Sequence, residues 1–513
     1  MAGKASGRAK THAAGKHRSG AGSPAQKPGA KPKAGAAAKG ASASKGPHAK
    51  GGFASGGRSW EKAGKPAQGC FGKGGHRAAP MSADPCGASR RCGACQHITE
   101  PYNQQLERKL ANVRRLYVSA GVVQSGALCE LSAAFSPSGL SDDAAAADMA
   151  IAGAAGAVAF SPVLGMADPR FYRNKVISPF ARGKRLADGK HGARYAIECG
   201  MYAAHSHKII DTSGCLIENQ QAKQVVVEIK RLMGKFGIEP YDEDTGEGFM
   251  RHAVVRVGHE SGEVLVTLVT NASTFPASRA FCRELARRCP FVTSVVQNVN
   301  TRQTNVILGE EEHRLYGPGF ILDTLCGLSF RISSHSFYQV NSTQTEVLYN
   351  TAIALAGLNG AQDVIDAYCG TGTIGLVAAS RGARSVVGVD TVESAIRDAR
   401  ENARHNGIEN ARFVVGDAGA FMRELADQAD RAAAPLVVFM DPPRAGSTEE
   451  FLDALAKLAP DRVVYISCNA ETQVRDIAYL QRFGYRARMV VPVDMFPHTD
   501  HIEVVTLLEK PQG

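Results

Sequence analysis

The feature that most constrains the fold is a strand, a glycine-rich turn and a helix of small residues in immediate succession. This stretch reads Asp363-Val-Ile-Asp-Ala-Tyr-Cys-Gly-Thr-Gly-Thr-Ile-Gly375. Its glycines let the backbone approach a nucleotide closely, and a second strand ends about 20 residues on in Asp390, where a carboxylate can take ribose hydroxyls. The pattern predicts an open, mostly parallel α/β sheet that binds a nucleotide cofactor.

The glycine-rich loop alone fits an NAD enzyme as well as an S-adenosylmethionine enzyme. Two features favour the second: the aromatic Tyr368 precedes the glycines, and a later strand, 436–440, runs into Asp441-Pro-Pro-Arg444. A further strand ends at Asp417, which can accept a hydrogen bond from an adenine amino group or can cap the following helix. The loop is therefore assigned to a nucleotide, and the later motifs favour S-adenosylmethionine.

A second strand signal places a thiol at the same edge. The β-branched run from Val463 ends at Cys468, which lies between Ser467 and Asn469. Open α/β sheets keep their active sites at the carboxyl ends of their strands, although a cysteine that only fills the core is a common alternative. Polar residues crowd the start of the last strand, and they fit either a capped turn or a base, Glu503, that works with Cys468 as nucleophile.

A cysteine cluster lies near the start of the folded part, with the pattern Cys86-x₅-Cys92-x₂-Cys95. Three thiolates on a short loop can reach one metal centre, and zinc and an iron–sulfur cluster both accept a fourth. The candidates for that fourth ligand are Cys70, Cys129, Cys199 and Cys215. A cytosolic compartment keeps thiols reduced, and without a secretion signal the twelve cysteines argue against a disulfide framework.

The chain carries a net charge of +11, and its first part accounts for all of the excess. Residues 1–80 hold 16 lysines and arginines, one acidic residue and no Leu, Ile or Val. Such a segment buries too little apolar surface to fold, so residues 1–82 are predicted to be a disordered basic tail suited to contacting phosphates, or a solubilising extension without a specific partner. No apolar stretch predicts a membrane span, and we expect a cytoplasmic protein.

The remaining chain is predicted to form two domains. Residues 83–325 read as a β-rich α+β domain with an amphipathic helix at 102–120, whose apolar face is Leu106, Leu110, Val113 and Tyr117. Hairpins are expected within 197–210, 254–269 and 294–308, and residues 136–156 read as an irregular insertion. Residues 326–513 form the nucleotide-binding domain, in which Asn341 is predicted to cap a helix that continues to residue 356.

Taken together, five motifs resemble the class I S-adenosylmethionine-dependent RNA uracil-5-methyltransferases, specifically the iron–sulfur 23S rRNA branch. The resemblance covers about residue 84 to the end and keeps the family's order of motifs. They are Phe337-Tyr-Gln-Val-Asn341, Asp366-Ala-Tyr-Cys-Gly-Thr-Gly372, Asp441-Pro-Pro-Arg-Ala-Gly446, Ser467-Cys-Asn469 with Thr472 and Arg475-Asp476, and His498-Thr-Asp-His-Ile-Glu503.

The resemblance implies methyl transfer from S-adenosylmethionine to C5 of a uridine in RNA, most directly 23S rRNA, by a protein expected to be a monomer. In that reaction Cys468 is the nucleophile that adds to C6, and Glu503 is the proton-abstracting base. The implied cofactor contacts are Gln339, Tyr368, Thr373, Asp390, Asp417 and Asp441. The implied ligands of a [4Fe-4S] cluster are Cys86, Cys92, Cys95 and Cys215.

Two other function classes use some of the same residues. An exocyclic-amine RNA or DNA methyltransferase has a similar Asp-Pro-Pro motif but needs no Cys468, and here Arg444 stands where an aromatic residue follows in such enzymes. An iron–sulfur nucleotide-binding redox protein is the other alternative. The chain also departs from many relatives, because residues 1–80 cannot form the OB-like TRAM domain that precedes the cluster there. We expect the basic tail to supply part of the missing RNA affinity.

Overall fold

A computed structural model describes residues 84–124, 126–130, 157–186, 195–203, 206–428 and 434–510. The predicted basic tail, 1–82, and the predicted insertion, 136–156, lie outside the described residues. Within the described ranges, no helix combines the length and the apolar character that crossing a bilayer requires.

The first half of the described chain is rich in strands. Its helices are α1 (Ser89–Cys92), α2 (Tyr102–Ser119), α3 (Gln220–Phe236) and α4 (Ser278–Arg288). Its strands are β1 (Leu128–Glu130), β2 (Val158–Phe160), β3 (Lys175–Arg185), β4 (Tyr195–Cys199), β5 (Met201–Tyr202), β6 (Ile209–Ile210), β7 (Met250–Val257), β8 (Val264–Thr270), β9 (Val292–Val299) and β10 (Glu311–Tyr316).

Six of these strands form a sheet in the order β10-β9-β8-β7-β3-β4, against which α3 and α4 bury apolar faces. The predicted hairpins around 254–269 and 197–210 are confirmed as the antiparallel pairs β7–β8 and β5–β6. The second arm of the predicted 294–308 hairpin is wrong, because the antiparallel partner of β9 begins at Glu311. The Asn300 amide donates to the carbonyls of Val306 and Ile307 and holds that segment as a loop.

The second half alternates strands and helices. Its strands are β11 (Ile321–Leu325), β12 (Leu328–Ile332), β13 (Asp363–Ala367), β14 (Ser385–Asp390), β15 (Ala411–Val415), β16 (Leu436–Met440), β17 (Arg462–Ser467), β18 (Arg486–Val493) and β19 (Glu503–Glu509). Its helices are α5 (Ser342–Ala356), α6 (Thr373–Ser380), α7 (Glu393–His405), α8 (Ala418–Gln428), α9 (Glu449–Leu458) and α10 (Ala470–Gln481).

Nine strands form one sheet in the order β1-β2-β18-β19-β17-β16-β13-β14-β15. All the pairs formed among strands β13 to β17 are parallel. Strand β19 is antiparallel to both of its neighbours, β17 and β18. The predicted α/β class with a mostly parallel sheet is confirmed. From β13 the chain adds β14 and β15 on one side and then β16 and β17 on the other, so the strand order reverses there. Open sheets bind ligands at such a reversal, beyond the carboxyl ends of the strands.

Helix α2 packs against this sheet, and β1 and β2 form its edge, although all three come from the first half of the described chain. Strand β2 pairs in parallel with β18. The predicted apolar face of α2 is only half correct: Val113 and Tyr117 are fully buried, whereas Leu106 and Leu110 are half-buried. The other buried positions are Gln105 and Lys109, because α2 faces polar groups of the segment that joins β18 to β19.

Candidate active site

A cavity of about 1240 Å³ opens at the carboxyl ends of the strands. It is lined by most of the residues that the sequence predicts for the site: Gln339, Tyr368, Asp390, Asp417, Asp441, Cys468 and Glu503. Thr373 is not among the lining residues, and its hydroxyl bonds that of Tyr349 at 3.2 Å. One cavity thus brings together seven of the residues that the sequence predicts for the site, and Thr373 does not line it.

The glycine-rich loop owes its shape to backbone conformations that favour glycine. Gly370 and Gly372 have φ values of 53° and 78°, and the non-glycine Tyr368 has a φ of 64°. A Cβ atom on Gly372 would lie 2.7 Å from the ring of Phe413, so no larger residue fits there without a shift. Asp390 fixes the loop from the next strand, since its Oδ2 accepts the Gly370 N–H at 2.9 Å. The loop is thus held open toward the cavity.

Asp366, to which the sequence pattern assigned no role, is buried beside the glycine-rich loop. It is 1% exposed, and its Oδ2 accepts the N–H of Gly375 at 2.8 Å. Burial, with the charges of Asp441 and Asp390, raises the pKa of Asp366 to about 7. The signal that could have found it is an acidic residue between the apolar Ile365 and Ala367 of β13, shortly before the loop.

Strand register brings the proposed nucleophile and base together. Ser467 of β17 pairs with Val504 of β19, so the next positions, Cys468 and Glu503, lie opposite each other at the sheet edge. Glu503 is 4% exposed. Burial and the neighbouring charge of Asp441 raise the pKa of Glu503, and burial also raises that of Asp441. Two acidic groups and a thiol therefore share one poorly solvated corner.

Arg444 offsets the negative charge of this corner. Burial, Glu503 and Asp441 raise the pKa of the Cys468 thiol, whereas a hydrogen bond from Arg444 lowers it. The Arg444 guanidinium also lies 3.1 Å from Nδ1 of His501, and its carbonyl accepts from the Asn469 amide at 3.1 Å. The sequence pattern assigned Arg444 no catalytic role. Its signal was the Asp-Pro-Pro-Arg motif itself.

Asp417 performs the structural role that the sequence left open and also lines the cavity. Its Oδ1 accepts the N–H of Ala420 at 2.8 Å, as an N-terminal cap of α8 does. The side chain is exposed. A helix cap and an acceptor for a bound ligand are compatible here, because a carboxylate has a second oxygen.

The four cysteines of the predicted cluster approach one another. Burial, followed by the charges of Cys215, Cys92 and Cys86, raises the pKa of Cys95 to about 12. In the part of the chain that is described, no group of three or more His, Cys, Asp or Glu side chains has the spacing that holds a metal ion. Ligands of a four-iron cluster each bind a different iron and lie farther apart than ligands of a single ion, so the all-thiol donor set fits a cluster of that kind.

Comparisons with known proteins identify the class of enzyme. The tRNA (uracil-5-)-methyltransferase family matches residues 325–511. An RNA methyltransferase from Halalkalibacterium halodurans, described as uncharacterized, is 38% identical over 425 residues, which cover 83% of each chain. The chain belongs to the RNA uracil-5-methyltransferase family. A Listeria monocytogenes RNA methyltransferase, also described as uncharacterized, is 40% identical over 428 residues and covers 83% of each chain.

A solved structure extends the family relationship beyond the sheet. The tRNA (uracil-54, C5)-methyltransferase of Pyrococcus abyssi, in complex with S-adenosyl-L-homocysteine, is 25% identical, with a TM-score of 0.60 over 84% of this chain and 87% of that chain. As a family member, the protein is an S-adenosylmethionine-dependent RNA methyltransferase of the uracil-5 class.

Proposed function

We propose that this enzyme methylates C5 of a uridine in 23S rRNA through a covalent intermediate on Cys468, with Glu503 as the base. The observation that carries the proposal is the register of β17 and β19, which sets Cys468 and Glu503 opposite each other on the wall of the cavity. A nucleophile and a base on one substrate are the two groups that this reaction needs.

The chemistry explains both residue types. Uracil C5 is too weak a nucleophile to attack a sulfonium methyl group directly. When the Cys468 thiolate forms a bond to C6, the ring electrons move onto the C4 oxygen as an enolate, and C5 takes the methyl group while S-adenosylhomocysteine leaves. Glu503 then removes the C5 proton, and the electron pair released from the C–H bond expels the thiolate from C6.

Two neighbours support these steps. Arg444 bonds the Cys468 thiol, and the positive charge of its guanidinium favours the thiolate over the thiol. Asp441 lies at the same corner, and we assign it to the uracil edge, where a carboxyl group can bond a ring N–H. A uridine reaches this cavity only after it leaves its stack, at a cost of a few kcal/mol.

We assign the cofactor to the glycine-rich loop. We assign S-adenosylmethionine to the cavity wall formed by Gln339, Tyr368 and Asp390, with Asp417 beside the adenine and Asp441 beside the methyl group. Thr373 is the weakest member of the proposed set, because its hydroxyl bonds Tyr349 and the residue does not line the cavity. The Pyrococcus abyssi relative was solved with S-adenosyl-L-homocysteine, the product of the same cofactor.

The cysteine segment is assigned to a [4Fe-4S] cluster on Cys86, Cys92, Cys95 and Cys215. Support comes from the mutual proximity of these thiols, because Cys86, Cys92 and Cys215 all act on the pKa of Cys95. No redox step occurs in the methylation reaction, so the cluster is assigned a structural part. Cys215 is favoured over Cys199 as the fourth ligand, because the charge of Cys215 acts on Cys95.

A tRNA substrate is the second candidate. It is favoured by the Pyrococcus abyssi structure, whose protein acts on uracil-54 of tRNA. Transcripts of 23S rRNA and of tRNA, incubated with the full chain and S-adenosylmethionine and analysed by mass spectrometry for 5-methyluridine, separate the two. Product in the rRNA alone is expected, and product only in the tRNA would overturn the rRNA assignment.

The catalytic assignment is tested with Cys468→Ala. The variant is expected to lose 5-methyluridine formation and to keep its affinity for S-adenosylhomocysteine, because the thiol is needed for the adduct and not for cofactor binding. Cys199→Ala is the matched control, since that thiol is also half-buried but lies on β4. Methylated base still formed by Cys468→Ala would refute the mechanism, and an N-methylated base among the products would establish exocyclic-amine transfer instead.

A further inference from the structure

The segment that joins β18 to β19, residues 494–502, ends immediately before Glu503, and we call it the base loop. We propose that Lys109, which lies on α2 and lines no part of the cavity, is a positioning residue that sets where the Glu503 carboxylate lies. This inference rests on the proposed function, in which Glu503 is the base. Lys109 acts by binding the base loop at both ends.

The contacts of Lys109 use its whole donor capacity. Its Nζ donates to Oδ1 of Asp494 at 2.6 Å, to the carbonyl of His501 at 2.8 Å and to the carbonyl of Phe496 at 3.2 Å. An ammonium group has three donors, and all three go to the base loop. The side chains of Lys109 and Asp494 are 1% and 0% exposed. One buried cation therefore joins the first residue of the base loop to one that lies two positions before Glu503.

Other residues of the N-terminal segment bind the same loop. The Tyr102 hydroxyl donates to Oδ2 of Asp494 at 2.8 Å, which fills the second oxygen of that carboxylate. Oε1 of Gln105 accepts the His498 N–H at 3.0 Å, and the His97 N–H donates to the His498 carbonyl at 3.0 Å. Both backbone groups of His498 and the Asp494 carboxylate are thus bound from outside the loop.

The loop conformation needs this outside support. His498 has a φ of 68°, in the left-handed region that is unfavourable for a residue other than glycine. Such a conformation persists only where the surroundings fix it. With Lys109 removed, the His501 carbonyl loses the donor that Lys109 supplies, whereas the Phe496 carbonyl keeps the N–H and the hydroxyl of Thr499. The peptide of His501, which leads into Glu503, is then no longer held.

The order of the chemical steps provides a specific readout. Glu503 acts after methyl transfer, so a misplaced base leaves adduct formation intact and slows adduct breakdown. In Lys109→Met, RNA carrying a labelled methyl group is therefore expected to stay covalently bound to the protein in denaturing gels. A displacement of about 1 Å predicts breakdown slowed by about 10²-fold. A loss of overall stability alone lowers the amount of active enzyme and leaves the ratio of the two rates unchanged.

Two companion variants complete the test. Lys457→Met is the matched control, because Lys457 forms a surface ion pair with Asp427 and is expected to break down its adduct at the normal rate. Lys109→Met/Asp494→Asn removes both buried charges, so it avoids an unpaired buried carboxylate and keeps an acceptor for Tyr102, yet the two loop carbonyls still lack Lys109. Slow breakdown in this double variant supports positioning, and normal breakdown refutes it.

Failure of the inference and failure of the proposed function give different results. Glu503→Gln cannot take the C5 proton and is expected to accumulate the methylated adduct. No accumulation in Glu503→Gln would overturn the assignment of the base itself. Accumulation in Glu503→Gln, together with normal breakdown in both Lys109 variants, would overturn only the role of Lys109.

Discussion

Replacing the buried Asp366 with asparagine is expected to stabilise the protein at neutral and alkaline pH. Burial raises the pKa of Asp366 from 3.8 to about 7, so the folded state binds a proton more tightly than the unfolded chain does. Stability from this group is therefore full below the unfolded pKa and is lost as the pH rises toward 7. The asparagine side chain would keep an oxygen for the Gly375 N–H without ever carrying a charge.

The magnitude follows from the shift. One pKa unit corresponds to about 1.36 kcal/mol, so the two units between pH 5 and the folded pKa of Asp366 correspond to about 3 kcal/mol. The free energy of unfolding of Asp366→Asn, minus that of the wild type, should rise by that amount between pH 5 and pH 8. Urea unfolding of the full chain at both pH values, in the absence of cofactor, measures this difference.

Asp363, on the same strand, provides a control because its pKa is shifted in the opposite direction. Burial raises the pKa of Asp363, but hydrogen bonds from Arg384 and Ser385 bring it below its ordinary value. The folded state therefore favours the carboxylate, and the stability that Asp363 contributes is lost only as the pH falls below 3.8. The free energy of unfolding of Asp363→Asn, minus that of the wild type, should therefore stay constant between pH 5 and pH 8. If the difference for Asp366→Asn is equally constant between pH 5 and pH 8, the folded pKa of Asp366 is not raised and the reasoning from burial is refuted.

Three further outcomes are expected. Burial is the main cause of the raised pKa of Glu503, and the negative charge of Asp441 is the second. Asp441→Asn removes that charge, so the rate of adduct breakdown should rise with pH at a lower midpoint than in the wild type. An unchanged midpoint in single-turnover pH profiles would contradict the coupling. Cys95→Ser removes one of four proposed thiolates, and chemical analysis of the reconstituted protein should find iron and sulfide strongly reduced, whereas full occupancy would exclude this residue as a ligand. Deletion of residues 1–80 should lower rRNA affinity and flatten its dependence on salt, and filter binding with equal slopes would contradict a role for the basic tail.

The sequence predicted the parts of the site that depend on local pattern. The glycine-rich loop and Asp390 follow strands whose apolar runs are visible in the sequence, and the carboxyl ends of parallel strands meet at one edge. The Asn341 cap of α5 is confirmed, because its side chain accepts the Gln344 N–H at 3.3 Å. These features need only a strand period, a turn residue or a capping residue, so they are legible without tertiary contacts.

The missed features depend on contacts between distant segments. Lys109 reads as a solvated lysine on an amphipathic helix, and its burial follows only from the Asp494 carboxylate 385 residues away. Leu106 was predicted to lie on the buried face and is only half-buried. The helical pattern shows an apolar stripe, but it cannot show which flank of that stripe meets polar groups. The prediction for the end of the 294–308 hairpin was wrong because the Asn300 side chain competes with strand pairing for backbone carbonyls.

The pairing of β2 with β18 has a consequence for the order in which this protein is made. The ribosome releases α2, β1 and β2 hundreds of residues before it synthesises β18 and β19. The faces that α2, β1 and β2 bury in the finished sheet therefore stay exposed until the last strands are made. The base loop is among the last segments translated, and it takes its final shape only when it meets Lys109. Contacts over such sequence separations form slowly, so active enzyme should appear after translation ends, later than the folded β7–β8 hairpin.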